Sequence, residues 1–410
     1  MAENVSPLAP ESFPALPSIS GVKLATAHCG IRYKGRTDLM VAALDPGTTI
    51  AGVLTRSLTP GAPVDWCRQA LKRGKARAIV VNSGIANVFT GRQGKSVVEA
   101  TAKSAARLLH CNPHEIYISS TGVIGEQLAG EKIIAALPDA FASASPSAWN
   151  DAARAIMTTD TFPKVATRSA RIDGIPITLN GFAKGSGMIA PDMATMLAYV
   201  FTDAALPAAV LQTLLKSGNE RAFNSITVDG DTSTSDTLLL CATGKAKHRR
   251  VAAPGDPRLK EFRRALDELL VDLAQQIVRD GEGAQKFVSI RVSGAASARA
   301  ARCVGLAIGN SPLVKTALAA GDANWGRIVM AVGKAGEKAD RDRLAIAVGG
   351  VRIAEKGGPV AGYDEAPVAR HMAGREIVIE VDLGIGKGRA EVWTCDLTHR
   401  YIDINGSYRS

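Results

Sequence analysis

The stretch GFAKGSGMIAPDMATMLAYVFTDA, Gly181 to Ala204, changes character half-way along. Gly181, Gly185 and Gly187 make its first half loose, and Met196 to Phe201 is an unbroken apolar run of strand length. That run predicts a buried strand. At the junction stands Thr195, preceded by Ala194. Two readings fit it. A β-branched residue opens a strand well. Alternatively, Thr195 becomes a new N-terminus: its hydroxyl attacks the Ala194 carbonyl, the peptide becomes an ester, and water cuts it. The freed α-amine would then act as base for the hydroxyl of its own residue.

Working outward, the chain alternates short strands and helices. Strands are predicted in KLATAHCGIRYKGRTDLMVAAL and TTIAGVLTRS, at Ala78–Val81, Ile116–Ser119 and Thr237–Ala242, and in RLAIAVGG, EIVIEVDLGIG and AEVWTCDL near the end. A hairpin is predicted to turn at Asp173-Gly174. Helices are predicted at Ser96–His110, with Ser96 and Glu99 as a capping box, and from a Ser147 cap to Met157. Others follow at Pro207–Ser217, Leu259–Ile277, Ser297–Leu306 and Pro312–Ala320. Residues 1–20, rich in proline and serine, read as a loose arm and not as a secretory signal.

A length of 410 residues suggests two domains or one large pseudo-repeated unit. No apolar run approaches the roughly 18 residues of a membrane span. The six cysteines are scattered with no Cys-x-x-Cys pair, which predicts reduced thiols and a cytoplasmic home. The six histidines show no metal-ligand spacing. Asp229, Asp231 and Asp236 are close in sequence but lack the order of a calcium loop, so no metal is expected. The formal net charge is +10, and the densest basic run is KAKHRR, Lys245–Arg250. With 5% aromatic residues and none interleaved there, that run reads as a solvated loop and not as a nucleic-acid surface.

Several further residues admit both a structural and a chemical reading. Thr121-Gly122 follows a predicted strand and precedes a predicted helix. Glycine there satisfies a turn with positive φ, or it lets a backbone N–H join the Thr121 hydroxyl as an oxyanion hole. Lys184, eleven residues ahead of Thr195, is either a solvated lysine or a cation for a substrate carboxylate. Glu282, between two glycines, is a turn residue or a partner for an ammonium.

KGSGMIAPDMATML closely resembles the self-cleavage segment of the ornithine acetyltransferase family, also called glutamate N-acetyltransferase. STGVIG, DGEGAQK and the terminal DINGSY match the same family in the same order, so the resemblance spans about Gly21 to Ser410. It departs at Ile85, where asparagine is common, and at Ser410, commonly threonine. The resemblance implies an α+β fold layered α/β/β/α, like that of aminopeptidases that also self-cleave. It implies an α chain of 1–194 and a β chain of 195–410, associated as α2β2. It makes Thr195 the nucleophile, Thr121 and Gly122 the oxyanion hole, and Thr158, Lys184, Thr195, Glu282, Asn405 and Ser410 the substrate contacts. The substrates implied are N2-acetyl-L-ornithine and L-glutamate, with acetyl-CoA open as a second donor. No cofactor, nucleic acid or membrane partner is expected. The alternative is a self-cleaving aminopeptidase or amidase of related fold.

Overall fold

The computed structural model describes residues 5–32, 35–190 and 196–406. Ala194, Thr195 and Ser410 therefore lie outside the described residues. The run after Thr195 is the strand Leu197–Thr202, in the middle of a five-stranded mixed sheet. On one side it pairs antiparallel with Ile175–Lys184, and on the other it pairs parallel with Thr237–Ala242. Successive side chains leave opposite faces of a strand. Leu197, Tyr199 and Phe201 accordingly enter one core, and Ala198 and Val200 enter another. The run is unbroken because both faces are covered.

The face carrying Tyr199 and Phe201 packs on a four-stranded sheet made of Val22–Ala27, Leu39–Leu44, Ala78–Asn82 and Ile116–Ser120. Met40, Ile79, Val81 and Tyr117 come from the second sheet to meet it. Trp149 seats edge-on against Phe201, with ring centroids 5.6 Å apart at 70°. The outer face of the four-stranded sheet is covered by helices Gly91–Leu108 and Gly130–Ala142. The outer face of the five-stranded sheet is covered by Ala208–Arg221 and Lys260–Arg279. The order is helix, sheet, sheet, helix, the expected α/β/β/α layering. A third, six-stranded sheet follows from Phe287 onward, with its own core under helices that include Ala298–Gly309 and Pro312–Ala320. Among the described residues no single helix is long and apolar enough to cross a membrane.

Several boundaries differ from the sequence reading. The first long helix begins at Gly91, so Ser96 lies inside it and is no cap. The start is set by side chains that periodicity does not register. Thr90 Oγ1 donates to Asn87 Oδ1 at 2.7 Å, and Asn87 Nδ2 donates to the Gly94 carbonyl at 3.1 Å. A Cβ on Gly94 would fall 1.9 Å from Thr90 Oγ1, so this glycine closes the start and does not break the helix. Ser147 is likewise not the cap of its helix, which runs Trp149–Ala155; its hydroxyl bonds the Ser145 hydroxyl at 2.9 Å. Helices Ala208–Arg221, Lys260–Arg279 and Ala298–Gly309 run past the expected ends Ser217, Ile277 and Leu306, and Pro312–Ala320 ends where expected. The hairpin turns where expected, with φ of 52° at Asp173 and 77° at Gly174. Residues 5–20 hold no helix or strand, yet they are anchored. Leu8 and Ile19 are buried, and Ser6 bonds Thr161 Oγ1 and the Arg279 carbonyl.

Candidate active site

Strand register brings several chain segments to one end of the five-stranded sheet. Lys184 pairs with Leu197, Leu197 pairs with Thr237, and Lys164 pairs with Ala183. The end of one strand and the beginnings of three others therefore share an edge. Opposite them the parallel pair of the four-stranded sheet finishes at Asn82 and Ser120. A cavity of about 290 Å³ opens between these ends. It is lined by Thr121, Gly122, Thr158, Lys184, Glu282 and Asn405 among others. The six predicted site residues that lie among the described residues thus meet in one cavity.

The Thr121-Gly122 end is shaped by backbone. Ser120 Oγ donates to Asn82 Oδ1 at 2.6 Å, and Asn82 Nδ2 donates to the Ile85 carbonyl at 2.9 Å. The flanking amides are occupied: Thr121 N–H donates to Asn82 at 3.0 Å and Val123 N–H to Gly84 at 3.1 Å. Between them, Gly122 N–H has no backbone acceptor among the described residues. Gly122 has φ of 125°, and a Cβ there would meet the Gly84 carbonyl carbon at 2.2 Å and oxygen at 2.3 Å. The turn requires glycine twice over, for conformation and for space. The strand-ending Asn82-Ser83-Gly84 is therefore scaffolding for the Gly122 turn.

The opposite end is shaped by charge. Lys184 is 3% exposed and its Nζ lies 3.8 Å from Asp160 Oδ2. Burial lowers the Lys184 pKa from its ordinary value, with Asp160 acting against that shift and Lys164 adding to it. Lys164 is fully buried and donates to Asp160 Oδ1 at 2.7 Å and to Asp280. Burial opposes its charge, but the two carboxylates outweigh burial and raise its pKa. Glu282 forms the third side. Its Oε2 accepts Asn405 Nδ2 at 2.7 Å, and its N–H donates to the Ser186 carbonyl at 3.1 Å. A Cβ on Gly187 would fall 2.4–2.6 Å from the Glu282 carboxylate, so that glycine admits the acid into the cavity wall.

Sequence reading missed three elements of this site. Asp229 is not part of a cation loop. It accepts the N–H groups of Met188 at 2.6 Å and Ile189 at 2.9 Å, and the Tyr401 hydroxyl at 3.2 Å. It thereby joins Met188 and Ile189 to the C-terminal helix His399–Gly406. Asp236, fully buried, accepts the Met196 N–H at 3.0 Å, and burial pushes its carboxyl well above the usual range. Asp160 lies behind the cavity wall. None of these has a local sequence signature; each is held at least in part by partners distant in the chain. Among the described residues no group of three or more His, Cys, Asp or Glu side chains is arranged to hold a metal.

The ArgJ family profile matches residues 23–410. This chain belongs to the ArgJ family. The arginine biosynthesis bifunctional protein ArgJ of Gluconobacter oxydans is 61% identical over 406 residues, covering 99% of this chain and 96% of that relative. The protein of the same name from Bradyrhizobium diazoefficiens is 56% identical over 413 residues, covering all of both chains. A crystal structure of the Bacillus halodurans ArgJ protein is 39% identical and covers 50% of this chain and 96% of that one, with a TM-score of 0.49. As an ArgJ member the chain is an acyltransferase of arginine biosynthesis.

Proposed function

We propose that the protein transfers the acetyl group of N2-acetyl-L-ornithine to L-glutamate through an acetyl ester on Thr195, after cutting its own backbone between Ala194 and Thr195. The observation that carries this reading is the convergence of Thr121, Gly122, Thr158, Lys184, Glu282 and Asn405 on one cavity. The last described residues before Thr195 and the first after it, Ala190 and Met196, are buried beside that cavity's wall elements.

In the first half-reaction Thr195 Oγ attacks the acetyl carbonyl while the α-amine of the same residue takes the hydroxyl proton. An α-amine has a reference pKa of about 7.7–8.0, so a useful fraction is neutral near pH 7. Thr121 Oγ and the Gly122 N–H hold the oxyanion. The C–N bond to ornithine breaks, and the proton taken from the threonine goes to the leaving amine. In the second half-reaction the neutral amine of L-glutamate attacks the ester, the ester C–O bond breaks, and the amine's proton passes through the Thr195 α-amine to the departing Thr195 Oγ. Both substrates carry an α-carboxylate, for which Lys184 is the cation. Glu282 and Asn405 serve the remaining polar groups, with Thr158 and Ser410 as further contacts. The ester carries the group, so no cofactor is required. The relatives are named bifunctional; we take the second activity to be loading of the same threonine from acetyl-CoA. The matured chains, 1–194 and 195–410, would associate as α2β2. The six cysteines are free, which fits the cytoplasm.

Intact mass and denaturing gels of active protein should show two chains divided at Ala194-Thr195. Thr195→Ala should stay in one piece and lose transfer from acetylornithine. An active, uncut wild type, or an active Thr195→Ala, ends this reading. Release of free acetate without glutamate would instead indicate the aminopeptidase or amidase alternative.

A further inference from the structure

We propose that Asp160 is the positioning residue for the cationic end of this site: one buried carboxylate holds the Lys184 ammonium and ties down the backbone on both sides of the cavity wall. The proposal rests on Lys184 being the cation that binds the substrate carboxylate. Asp160 is not among the residues lining the cavity. Its side chain is fully buried directly behind them.

Four groups meet on this carboxylate. Oδ2 accepts the Thr158 N–H at 3.0 Å and lies 3.8 Å from Lys184 Nζ. Oδ1 accepts the Gly185 N–H at 2.6 Å and Lys164 Nζ at 2.7 Å. Thr158 and Lys184 both line the cavity, and Gly185 follows Lys184 directly. Asp160 therefore sets the distance between two proposed substrate contacts on different segments. Lys164 has a second anion, since it also bonds Asp280. Asp280 in turn holds the Thr161 N–H at 2.8 Å. Among the described residues, Asp160 provides the only ion pair to Lys184.

The other charged groups facing Lys184 do not replace it. Lys164 repels it, and Glu282 and Asp236 attract it more weakly than Asp160 does. Burial keeps the Asp236 carboxyl protonated far above the usual range, and Glu282 already accepts Asn405. A buried ion pair adds little stability over apolar side chains of the same shape. What this arrangement supplies is a lysine that stays protonated in a mostly buried position, at a fixed place relative to Thr158.

The test is the KM for L-glutamate, taken as the ratio of variant to wild type at each pH from about 6 to 9, which cancels titration of the substrate amine. With Asp160→Asn, Lys184 loses its anion and keeps its repulsion from Lys164. The KM ratio should grow with pH, reaching about 10-fold or more at the alkaline end, while kcat changes little. Asp160→Glu keeps the charge and should give a small, pH-flat ratio; it carries the test if Asp160→Asn does not fold. Asp280→Asn breaks the same buried cluster without touching Lys184 or Thr158, and should lower Tm while leaving the ratio flat. A flat ratio for Asp160→Asn, or a pH-dependent one for Asp160→Glu or Asp280→Asn, overturns the proposal. Lys184→Met separates the two levels. If it leaves the glutamate KM unchanged, the reading of Lys184 itself fails; if it raises KM and Asp160→Asn stays flat, only the role of Asp160 fails.

Discussion

The two ends of the cavity are made from different materials. At the Gly122 end the proposed working group is a backbone N–H, in a turn that packs against Gly84 with no room for a Cβ. At the Lys184 end it is a side-chain charge, kept in place by a carboxylate that is itself buried. The first kind of site is steric and indifferent to pH. The second is electrostatic, so it depends on the protonation of groups that do not touch the substrate. The proposed acyl transfer, which stabilises a transient oxyanion and also reads a permanent carboxylate, needs both.

The contrast breaks first, and most visibly, at Gly122. Gly122→Ala should lower kcat by about 100-fold or more, the effect of losing an oxyanion donor, by the same factor across the working pH range. Steady-state rates at several pH values check this; a loss that appears in KM instead would remove the distinction between the ends. Next in size is Lys184→Met, which should raise the KM for L-glutamate by about 10-fold or more with a smaller change in kcat. In the wild type the same end carries a pH signature. Burial lowers the Lys184 pKa, so the ammonium is lost earlier than for an ordinary lysine as pH climbs, and KM should rise on the alkaline side. The falling limb of kcat/KM against pH should lose that component in Lys184→Met.

Gly187→Ala sharpens the comparison from between the two ends. Its Cβ would press on the Glu282 carboxylate, displacing Glu282 or the Gly187 loop, and KM should rise about 5-fold, as overpacking of a closed wall does. The smallest effect is expected from Tyr401→Phe, which removes one hydrogen bond to Asp229. It should raise KM about 2- to 5-fold and leave kcat within that range, the value of a single partly exposed hydrogen bond. Calorimetric titration with L-ornithine gives an independent reading of both.

The legible part of the site followed the same division. Gly122 could be singled out from sequence because a glycine between a strand and a helix has few explanations, and the structure shows the crowding that demands it. Lys184 and Glu282 were marked by their glycine neighbours. Asp160 was not, although it stands two residues after Thr158, a contact that the family resemblance implies. Its importance comes from Lys164, Gly185 and Lys184, which reach it through strand pairing. Asp229 was set aside as a cation ligand, but its role as a clamp was not legible, because closely spaced acids look alike whether they face solvent or a set of amides.

By itself the sequence determined most of the local elements, and the layered class of the fold came from its resemblance to the ornithine acetyltransferase family. Short unbroken apolar runs such as Leu197–Phe201 and Leu238–Ala242 have strand length and are covered on both faces, and the long helix ending at Arg279 carries its apolar stripe openly. Tertiary structure alone decided helix starts such as Gly91, which depend on Asn87 and Thr90 bonding across a loop. It alone decided which charges face one another. Periodicity records what a residue does with its nearest neighbours along the chain. The buried group of Asp160, Lys164, Lys184 and Asp280 exists only because strand pairing and the packing of the helix that ends at Arg279 bring together positions up to 120 residues apart, and no local pattern encodes that meeting.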